Sequence, residues 1–263
     1  MMAAMNVALV GSGRMGKEVE QVLRERGHKV VVRIDPTPGV GDSESLQARL
    51  LGGVDGIIEF SLPTAVAVNA RVYAQVGIPT VIGTTGWDAD RPEVEKLIRG
   101  AGGSLLYGSN FSIGAHLMFA LVQRAAELIK PFDDYDIMVH EIHHKFKADS
   151  PSGTALSIGK IILDNLPRKT SIQTQALDRP IRPEELHVSS SRVGAVPGVH
   201  TVTIDGAADT IELTHTARNR RGLASGAVLA LEWLQGKKGF YRVEEFIAAA
   251  INGDESQDGR RRH

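Results

Sequence analysis

The chain of 263 residues contains no cysteine, which excludes disulfides, thiolate nucleophiles and thiolate-bound zinc. It also lacks any apolar run of 18 or more residues, so the sequence contains no candidate transmembrane helix. The short apolar run near the N-terminus has no basic residues before it, and glycines follow where a signal peptide would continue. These absences predict a soluble, cytoplasmic protein in a reducing compartment.

The chain also has almost no net charge. Thirty Lys and Arg residues stand against thirty-one Asp and Glu residues, which leaves a formal charge of −1. Without an overall basic field, neither a nucleic acid nor an anionic membrane is an expected partner. The length allows one large domain or two ordinary ones, and we favour two.

The first hundred residues alternate between short β-branched runs and helical patterns, as consecutive βαβ units do. This order predicts an α/β domain with a parallel sheet. The predicted strands are residues 6–10, 29–35, 55–60, 78–83 and 104–111. The predicted helices are residues 14–26, 63–75 and a third that runs through residue 96.

Beyond residue 111 the pattern changes, because strands follow one another without intervening helices. That grouping predicts an α+β domain with an open, mixed or antiparallel sheet. Its predicted helices are residues 114–130 and 152–165, and its predicted strands are 135–144, 186–193, 200–204 and 210–216. Helices at 223–234 and 243–251 are expected to return to the first domain, and the polar residues 253–263 are expected to be a solvated tail.

The motif GSGRMG, residues 11–16, lies between the first predicted strand and the first predicted helix. Glycines in this context allow a tight turn and bring a pyrophosphate close to free N–H groups at the helix start. Asp35 closes the second strand 24 positions after Gly11, near the roughly 20 expected for an acid that binds a ribose 2′-hydroxyl. Its charge favours NADH, whereas nearby Arg33 leaves NADPH open. The alternative is that these glycines only form a turn.

A second glycine-containing motif, GTTGW at residues 83–87, follows the fourth predicted strand. It therefore lies at the carboxyl edge of the sheet, where open α/β sheets place their ligands. This position suits a contact with the nicotinamide. An ordinary turn in which Thr84 or Thr85 caps the next helix is an equally good interpretation.

Basic side chains cluster just before a predicted helix start. Ser150 is the expected N-cap and Pro151 the expected first helical residue, so the N–H groups that follow would be free to bind a carboxylate. Gly153 would let the anion approach and Thr154 would add a hydroxyl. His143, His144, Lys145 and Lys147 precede the turn. Together they predict a receptor for a small dianion.

Two of these side chains are candidate proton donors for a reductase. A lysine such as Lys147 is normally cationic at neutral pH, and the other candidate is His143, since an unperturbed histidine side chain has a pKa of about 6.5. The alternatives are a hydrogen-bonded histidine without a catalytic role and a solvated Lys145. Zinc binding by His140, His143 and His144 is a weaker alternative because no well-spaced carboxylate completes a ligand set, so we expect no metal.

The segment EIHHKFKADSPSGTA, residues 141–155, resembles the signature of the 4-hydroxy-tetrahydrodipicolinate reductases, also called dihydrodipicolinate reductases. Five further motifs fall in that family's order, so the resemblance spans nearly the whole chain. They are GSGRMG, EFSLPTAV (59–66), GTTGW, GSNFSIG (108–114) and HTARNRRGLASGA (215–227).

The resemblance implies NAD(P)H-dependent reduction of the cyclic imine dicarboxylate derived from 4-hydroxy-tetrahydrodipicolinate, in diaminopimelate and lysine biosynthesis. It implies a Rossmann dinucleotide-binding domain of residues 1–111 plus 218–263, and a substrate-binding and tetramerisation domain of residues 112–217. The chain would cross between them near residues 109–112 and 216–219. A homotetramer would form through the open sheet.

The resemblance also implies residue roles. His143 and Lys147 would transfer protons, and the substrate would be bound by His144, Gly153, Thr154 and Arg220. The cofactor would be bound by Gly11, Ser12, Gly13, Arg14, Met15, Asp35, Gly83, Thr84, Thr85, Gly108, Ser109, Asn110 and Phe111.

Two departures from the family pattern affect the cofactor site. The glycine loop is one residue shorter than in many members, and Pro36 stands where some members carry a basic residue, which favours NADH. Two other functions remain open at this point: a related amino-acid dehydrogenase of the aspartate or homoserine type, and a non-catalytic NADH-binding protein.

Overall fold

The computed structural model describes residues 3–253, which form two compact units. The first unit comprises the described residues through Ile113 and from Arg220 onward, and the second is Gly114–Asn219. Both crossing points lie two residues beyond the predicted domain limits. Most of the predicted polar tail, from residue 254, falls outside the described residues.

The first unit is built on a six-stranded parallel sheet, which confirms the predicted fold class. The strand order is β11-β5-β4-β3-β1-β2. Because β2 and β3 lie on opposite sides of β1, the strand order reverses beside β1, where doubly wound sheets bind ligands. In chain order the strands are β1 (Asn6–Val10), β2 (Lys29–Ile34), β3 (Gly56–Glu59), β4 (Thr80–Ile82), β5 (Ser104–Tyr107) and β11 (Gly239–Arg242).

Helices cover both faces of this sheet. One face packs against α1 and α6 through a core that includes Val19, Leu23 and Leu231, and the other packs against α2 and α3 through Tyr73 and Ile98. Burial of each large apolar side chain contributes about 1.5–3 kcal/mol to the free energy of folding. The helices are α1 (Arg14–Glu25), α2 (Pro63–Val76), α3 (Arg91–Gly100), α6 (Arg221–Leu234) and α7 (Val243–Asn252), with short 3₁₀ turns at Ala48–Leu51 and Asp88–Asp90.

The second unit contains a five-stranded mixed sheet of order β10-β9-β6-β8-β7. The β10–β9 and β9–β6 pairs are antiparallel, and the β6–β8 and β8–β7 pairs are parallel. This confirms the predicted α+β organisation. Its elements are α4 (Ile113–Ile129), β6 (Asp136–His143), α5 (Gly153–Asn165), β7 (Ser171–Gln173), β8 (Glu185–Arg192), β9 (Val199–Asp205) and β10 (Thr210–Thr216).

Strand β6 shows why the second sheet has one covered face. Its burial alternates residue by residue, and Ile137 and Val139 enter a core with helices α4 and α5. Glu141 and His143 follow at the same period of two, so they continue this buried face beyond its apolar part. The end of β6 therefore places a carboxylate and an imidazole beside the start of α5.

Three local predictions differ from the structure. The expected strand at residues 104–111 ends at Tyr107, and Gly108–Phe111 form a connector outside the sheet. The short strands β7 and β11 were not predicted. Within residues 3–253, no helix is both long enough and apolar enough to span a bilayer.

Candidate active site

A glycine is needed for a different structural reason at each of the three glycine positions of the GSGRMG loop. Gly11 has φ +95°, and a Cβ there would lie 2.0 Å from the carbonyl oxygen of Phe60. A Cβ on Gly16 would lie 2.1 Å from the carbonyl oxygen of Gly11, whereas nothing lies within 4 Å of the corresponding position at Gly13. Two glycines therefore allow tight packing, and the third leaves open space above the loop.

The start of α1 suits an anionic ligand. The N-cap residue is Gly13, which has no side chain that could accept a hydrogen bond. The first N–H groups of α1, from Arg14 and Met15 onward, therefore receive no side-chain cap. The hydroxyl of Ser12 is buried and has no hydrogen-bond partner among the described residues. An uncapped helix start beside an unpaired buried hydroxyl fits the pyrophosphate of a dinucleotide.

Asp35 lies directly beyond the carboxyl end of β2, next to this loop. Its carboxylate accepts hydrogen bonds from the N–H groups of Ser12 at 2.8 Å and Thr37 at 3.0 Å. Burial opposes ionisation, but these hydrogen bonds outweigh it, and the pKa of Asp35 lies below its ordinary value. Asp35 is therefore a fixed negative charge at the loop.

The guanidinium of Arg33 is held by acidic side chains. It contacts the Glu20 carboxylate at 2.6 and 3.2 Å and the Asp42 carboxylate at 3.6 Å. The hydrogen bond to Arg33 lowers the pKa of Glu20, and the same bond raises the pKa of Arg33. Arg33 was the residue that kept NADPH possible in the sequence analysis, and its positive charge is thus neutralised by acidic side chains of the first unit.

The loops after β4 and β5 carry the remaining cofactor candidates. The Thr84 hydroxyl accepts from the N–H of Ser61 at 2.8 Å and caps neither the 3₁₀ turn at Asp88–Asp90 nor α3, so the helix-cap interpretation is wrong. Thr85 is exposed. Together with Gly108 and Ser109, these threonines line a cavity of about 370 Å³. Gly83, Asn110 and Phe111 complete the two loops, and Phe111 is buried in the core.

In the second unit, a buried carboxylate holds the end of β6. Glu141 is fully buried and accepts from the Nη1 and Nη2 atoms of Arg192 at 3.0 and 2.8 Å and from the N–H of Ser152 at 3.0 Å. A further short contact joins it to Nδ1 of His143. Burial opposes ionisation of Glu141, but the hydrogen bonds from Arg192, His143 and Ser152 lower its pKa below the ordinary value.

Strand β9 and the glycine directly before it supply the other neighbours of His143. A Cβ on Gly198 would lie 2.8 Å from Nε2 of His143, so only a glycine leaves that nitrogen free. The ring of His200 lies 5.2 Å from the His143 ring, and its Nε2 is 3.1 Å from the Ser152 hydroxyl. Burial, followed by the charge of His143, lowers the pKa of His200 to about 4. His200 is therefore neutral near pH 7.

The start of α5 differs from the prediction by two residues. Ser152, rather than Ser150, is the N-cap, because its hydroxyl accepts from the N–H of Ala155 at 3.2 Å. Pro151 consequently lies outside the helix, and the first helical residues are Gly153 and Thr154. Gly153 is exposed, with nothing within 4 Å of a Cβ built on it. In this corrected register the helix start that we predicted to receive an anion begins at Gly153.

Lys147 lies beside this helix start. Its Nζ is 2.7 and 3.0 Å from the two carboxylate oxygens of Asp149. The hydrogen bond from Lys147 lowers the pKa of Asp149, and the N–H of Gly153 contributes in the same direction. His144 is half-buried, and its Nδ1 has no hydrogen-bond partner among the described residues. The structure therefore brings His143, His144, Lys147, Gly153 and Thr154 to one end of the second unit.

Two sequence-based candidates lie elsewhere. His140 bonds Ser189 through Nδ1 at 2.8 Å on the face of β6 opposite to His143, because the two residues differ by an odd number of positions. Among the described residues, no group of three His, Asp or Glu side chains is arranged to hold a metal ion. Arg220 is the exposed N-cap residue of α6 in the first unit, whereas the other substrate candidates belong to the second.

Comparison with protein families decides what this arrangement belongs to. The family described as "Dihydrodipicolinate reductase, N-terminus" matches residues 5–111, and "Dihydrodipicolinate reductase, C-terminus" matches residues 114–247. The chain belongs to the dihydrodipicolinate reductase family. The resemblance inferred from the motifs is confirmed.

Curated relatives of the dihydrodipicolinate reductase family cover nearly the whole chain. The 4-hydroxy-tetrahydrodipicolinate reductase of Christiangramia forsetii is 36% identical over 244 residues, which span 93% of this chain and 98% of the relative. The protein of the same name from Aquifex aeolicus is 34% identical over 255 residues, spanning 89% and 95% of the two chains.

Solved structures support the fold. A dipicolinate-bound dihydrodipicolinate reductase from Paenisporosarcina sp. TG-14 matches with a TM-score of 0.72 and 22% identity, covering 92% of this chain and 99% of that one. An amine dehydrogenase from Mycobacterium smegmatis matches with a TM-score of 0.60 and 15% identity, covering 92% and 96% of the two chains. At these identities the likeness concerns the fold alone.

Sequence reasoning missed four members of the His143 cluster: Glu141, Ser152, Arg192 and His200. Arg192 and His200 are about 50 positions away from their partners and arrive through strand pairing, so no local pattern reveals them. Glu141 did carry a signal, because a charged residue at a buried position of an alternating strand requires partners.

Proposed function

We propose that this member of the dihydrodipicolinate reductase family uses NAD(P)H to reduce the cyclic imine dicarboxylate derived from 4-hydroxy-tetrahydrodipicolinate to tetrahydrodipicolinate, a step of diaminopimelate and lysine biosynthesis. Family membership and the names of the curated relatives support this oxidoreductase activity. The single observation that carries the chemistry is the convergence of an imidazole, an ammonium group and a helix start at the end of β6.

The first unit is the proposed dinucleotide-binding domain. The amides at the start of α1 would hold the pyrophosphate, Asp35 would accept from the adenosine ribose, and the loops at Gly83–Thr85 and Gly108–Phe111 would border the nicotinamide. When bound, the reduced nicotinamide supplies the hydride. We propose NADH as the preferred cofactor, because Asp35 is anionic and Glu20 already occupies Arg33.

The second unit is the proposed substrate domain. Amides at the start of α5, with Gly153 and Thr154, would bind one substrate carboxylate, and the Lys147 ammonium group offers a second anion contact. His144 is a further proposed contact through its unpaired Nδ1. Arg220, at the start of α6, is proposed to contribute a guanidinium on the strength of the family resemblance.

Proton transfer is assigned to His143 or Lys147. Nδ1 of His143 is engaged by Glu141, while its Nε2 makes no hydrogen bond within the part of the chain described. Lys147 carries three N–H donors and is one-quarter exposed. Either group would deliver a proton to the ring carbon adjacent to the position that accepts the hydride.

We also propose a homotetramer that assembles through the second sheet. The face opposite to α4 and α5 carries His140, Ser189, Thr201 and Thr214, and no helix of the second unit packs on it in the described residues. A sheet face left uncovered within one unit is suited to pair with another copy. A cytoplasmic location fits an enzyme that draws on the cellular nicotinamide pool.

The test is a spectrophotometric assay of the purified protein with enzymatically generated substrate and NADH. We expect loss of the reduced-nicotinamide absorbance with the wild type, and a decrease in kcat of at least about 10²-fold in a double variant, His143→Gln with Lys147→Met. The matched control is Lys145→Met, since Lys145 is exposed and, among the described residues, its ammonium group interacts only with the Phe146 ring, at 5.1 Å. An inactive wild type, or a fully active double variant, would refute the proposal.

A further inference from the structure

The buried carboxylate of Glu141 accepts several side-chain and backbone hydrogen bonds that do not belong to the pairing of its strand. It is fully buried at the end of β6 and receives donors from three separate elements: β8 through Arg192, the start of α5 through Ser152, and β6 itself through His143. A buried charge of this kind is costly unless it is paired and fully hydrogen-bonded. Here the bidentate guanidinium satisfies that condition.

Because Arg192 keeps Glu141 ionised, the carboxylate can only accept hydrogen bonds. The Nδ1 atom of His143 must therefore carry a hydrogen in both charge states of the ring. Any proton that the ring gains or loses then sits on Nε2. That nitrogen faces the glycine at position 198, where a Cβ would approach to 2.8 Å.

The other titratable groups around His143 do not reverse this assignment. His200 on β9 packs against the ring at 5.2 Å, and the ring of His215 on β10 lies a further 6.5 Å beyond His200. Lys147 follows β6 and is paired with Asp149. None of these groups makes a hydrogen bond to Nδ1 of His143, whereas Glu141 does.

We propose that Glu141, held by Arg192, is a positioning residue that fixes His143 with Nδ1 protonated and presents Nε2 as its proton-transferring atom. The same carboxylate binds the N–H of Ser152, so it also sets the start of α5 relative to His143. This inference rests on the proposed reductase function and adds to it a residue that would not touch the substrate. The physical precedent is general: a carboxylate behind an imidazole selects its tautomer and orientation.

The first test is Glu141→Gln, which keeps the volume but replaces one acceptor oxygen with a donor group. We expect kcat to decrease about 10- to 100-fold with the affinity for NADH unchanged. The falling limb of kcat/KM against pH should move to lower pH, because an adjacent anion favours the protonated ring. A purely structural role would lower activity without moving that limb.

The matched control is Glu185→Gln. Glu185 lies at the opposite end of β8 and is paired bidentately with Arg179 at 2.9 and 2.6 Å, and among the described residues no histidine hydrogen-bonds to its carboxylate. It should destabilise the fold comparably while leaving the pH profile unchanged. Arg192→Lys is a milder variant: it keeps the positive charge but loses the bidentate fork, and we expect a decrease of only several-fold in kcat.

The second test requires neither enzymatic activity nor a folded Glu141→Gln variant. Nitrogen-15 NMR of histidine-labelled wild-type protein, with His143 assigned by comparison with His143→Gln, should show a protonated Nδ1 and a non-protonated Nε2 at high pH. The opposite tautomer would overturn the inference, as would a folded Glu141→Gln variant with wild-type kcat and pH profile. An inactive wild type that still shows the predicted tautomer would reject the proposed function while supporting the positioning role.

Discussion

The neutral state of His200 leads to a prediction about stability at acid pH. Burial and the neighbouring His143 lower the pKa of His200 from 6.5 to about 4. The unfolded chain, in which a histidine keeps its ordinary pKa, binds a proton below pH 6.5 that the folded chain refuses until about pH 4. The stability that this group contributes is therefore complete above pH 6.5 and is lost as the pH falls toward 4.

The size of the effect follows from the same values. Lowering the pKa from 6.5 to about 4 corresponds to about 3 kcal/mol in full, of which about 2 kcal/mol is lost between pH 7 and pH 5. Replacing His200 by Gln removes the titration while keeping an amide that can bond the Ser152 hydroxyl. We expect the decrease in unfolding free energy between pH 7 and pH 5 to be about 2 kcal/mol smaller in His200→Gln than in the wild type.

The assay is urea unfolding at the two pH values, followed by circular dichroism and by hydrogen exchange of peptides from β9. Tryptophan fluorescence is unsuitable, because both tryptophans, Trp87 and Trp233, lie in the first unit. His187→Gln is the control, since His187 is a half-buried histidine of β8, a strand of the same sheet that β6 separates from β9. Equal pH dependence in wild type and His200→Gln would refute the assignment of a neutral, buried His200.

Three further predictions concern the two sites. Glu20→Gln should release Arg33 and raise the ratio of kcat/KM for NADPH to that for NADH by about 10-fold, and an unchanged ratio would contradict the proposed cofactor preference. Asp149→Asn should remove the carboxylate that now occupies Lys147, so the substrate KM should decrease several-fold in steady-state assays, and an increase would argue against competition for Lys147. Gly11→Ala should lower the affinity for NADH at least 10-fold in calorimetric titrations, since its Cβ would meet the Phe60 carbonyl. The control is Gly27→Ala, which is also at positive φ but lies in open space at the end of α1 and should leave that affinity unchanged.

The extent to which sequence predicted this structure depends on how local each feature is. The parallel sheet and its glycine loop follow from adjacent residues, so the strand at Asn6–Val10 and the helix from Arg14 were placed correctly. The N-cap of α5 was misplaced by two positions, because Ser150 and Ser152 are both good caps and only the fold decides which hydroxyl reaches an N–H group. Local chemistry thus predicted the element but not its first residue.

The environment of His143 shows the opposite limit. The alternation of β6 turns it inward together with Glu141, but Arg192 and His200 reach it only through strand partners about 50 positions away. Register across a sheet is fixed by the whole pattern of burial, not by any one segment. The residues proposed to bind a ligand lay in contiguous motifs, as did Glu141, whereas Arg192 and His200 did not.

Comparison of two buried glutamates explains why Glu141 can act as a permanent anion. Within the described part of the chain, Glu59 at the end of β3 accepts only from neutral donors, on Ser61, Asn69 and Tyr73, so burial prevails and its pKa is raised. Glu141 is equally inaccessible but receives a bidentate guanidinium, and its pKa is lowered. A carboxyl group that readily becomes neutral can tie a loop together, as Glu59 ties Ser61 to the sheet. Only one that stays charged can hold an imidazole in a single tautomer through a proton transfer, and Arg192 is the residue that makes the difference.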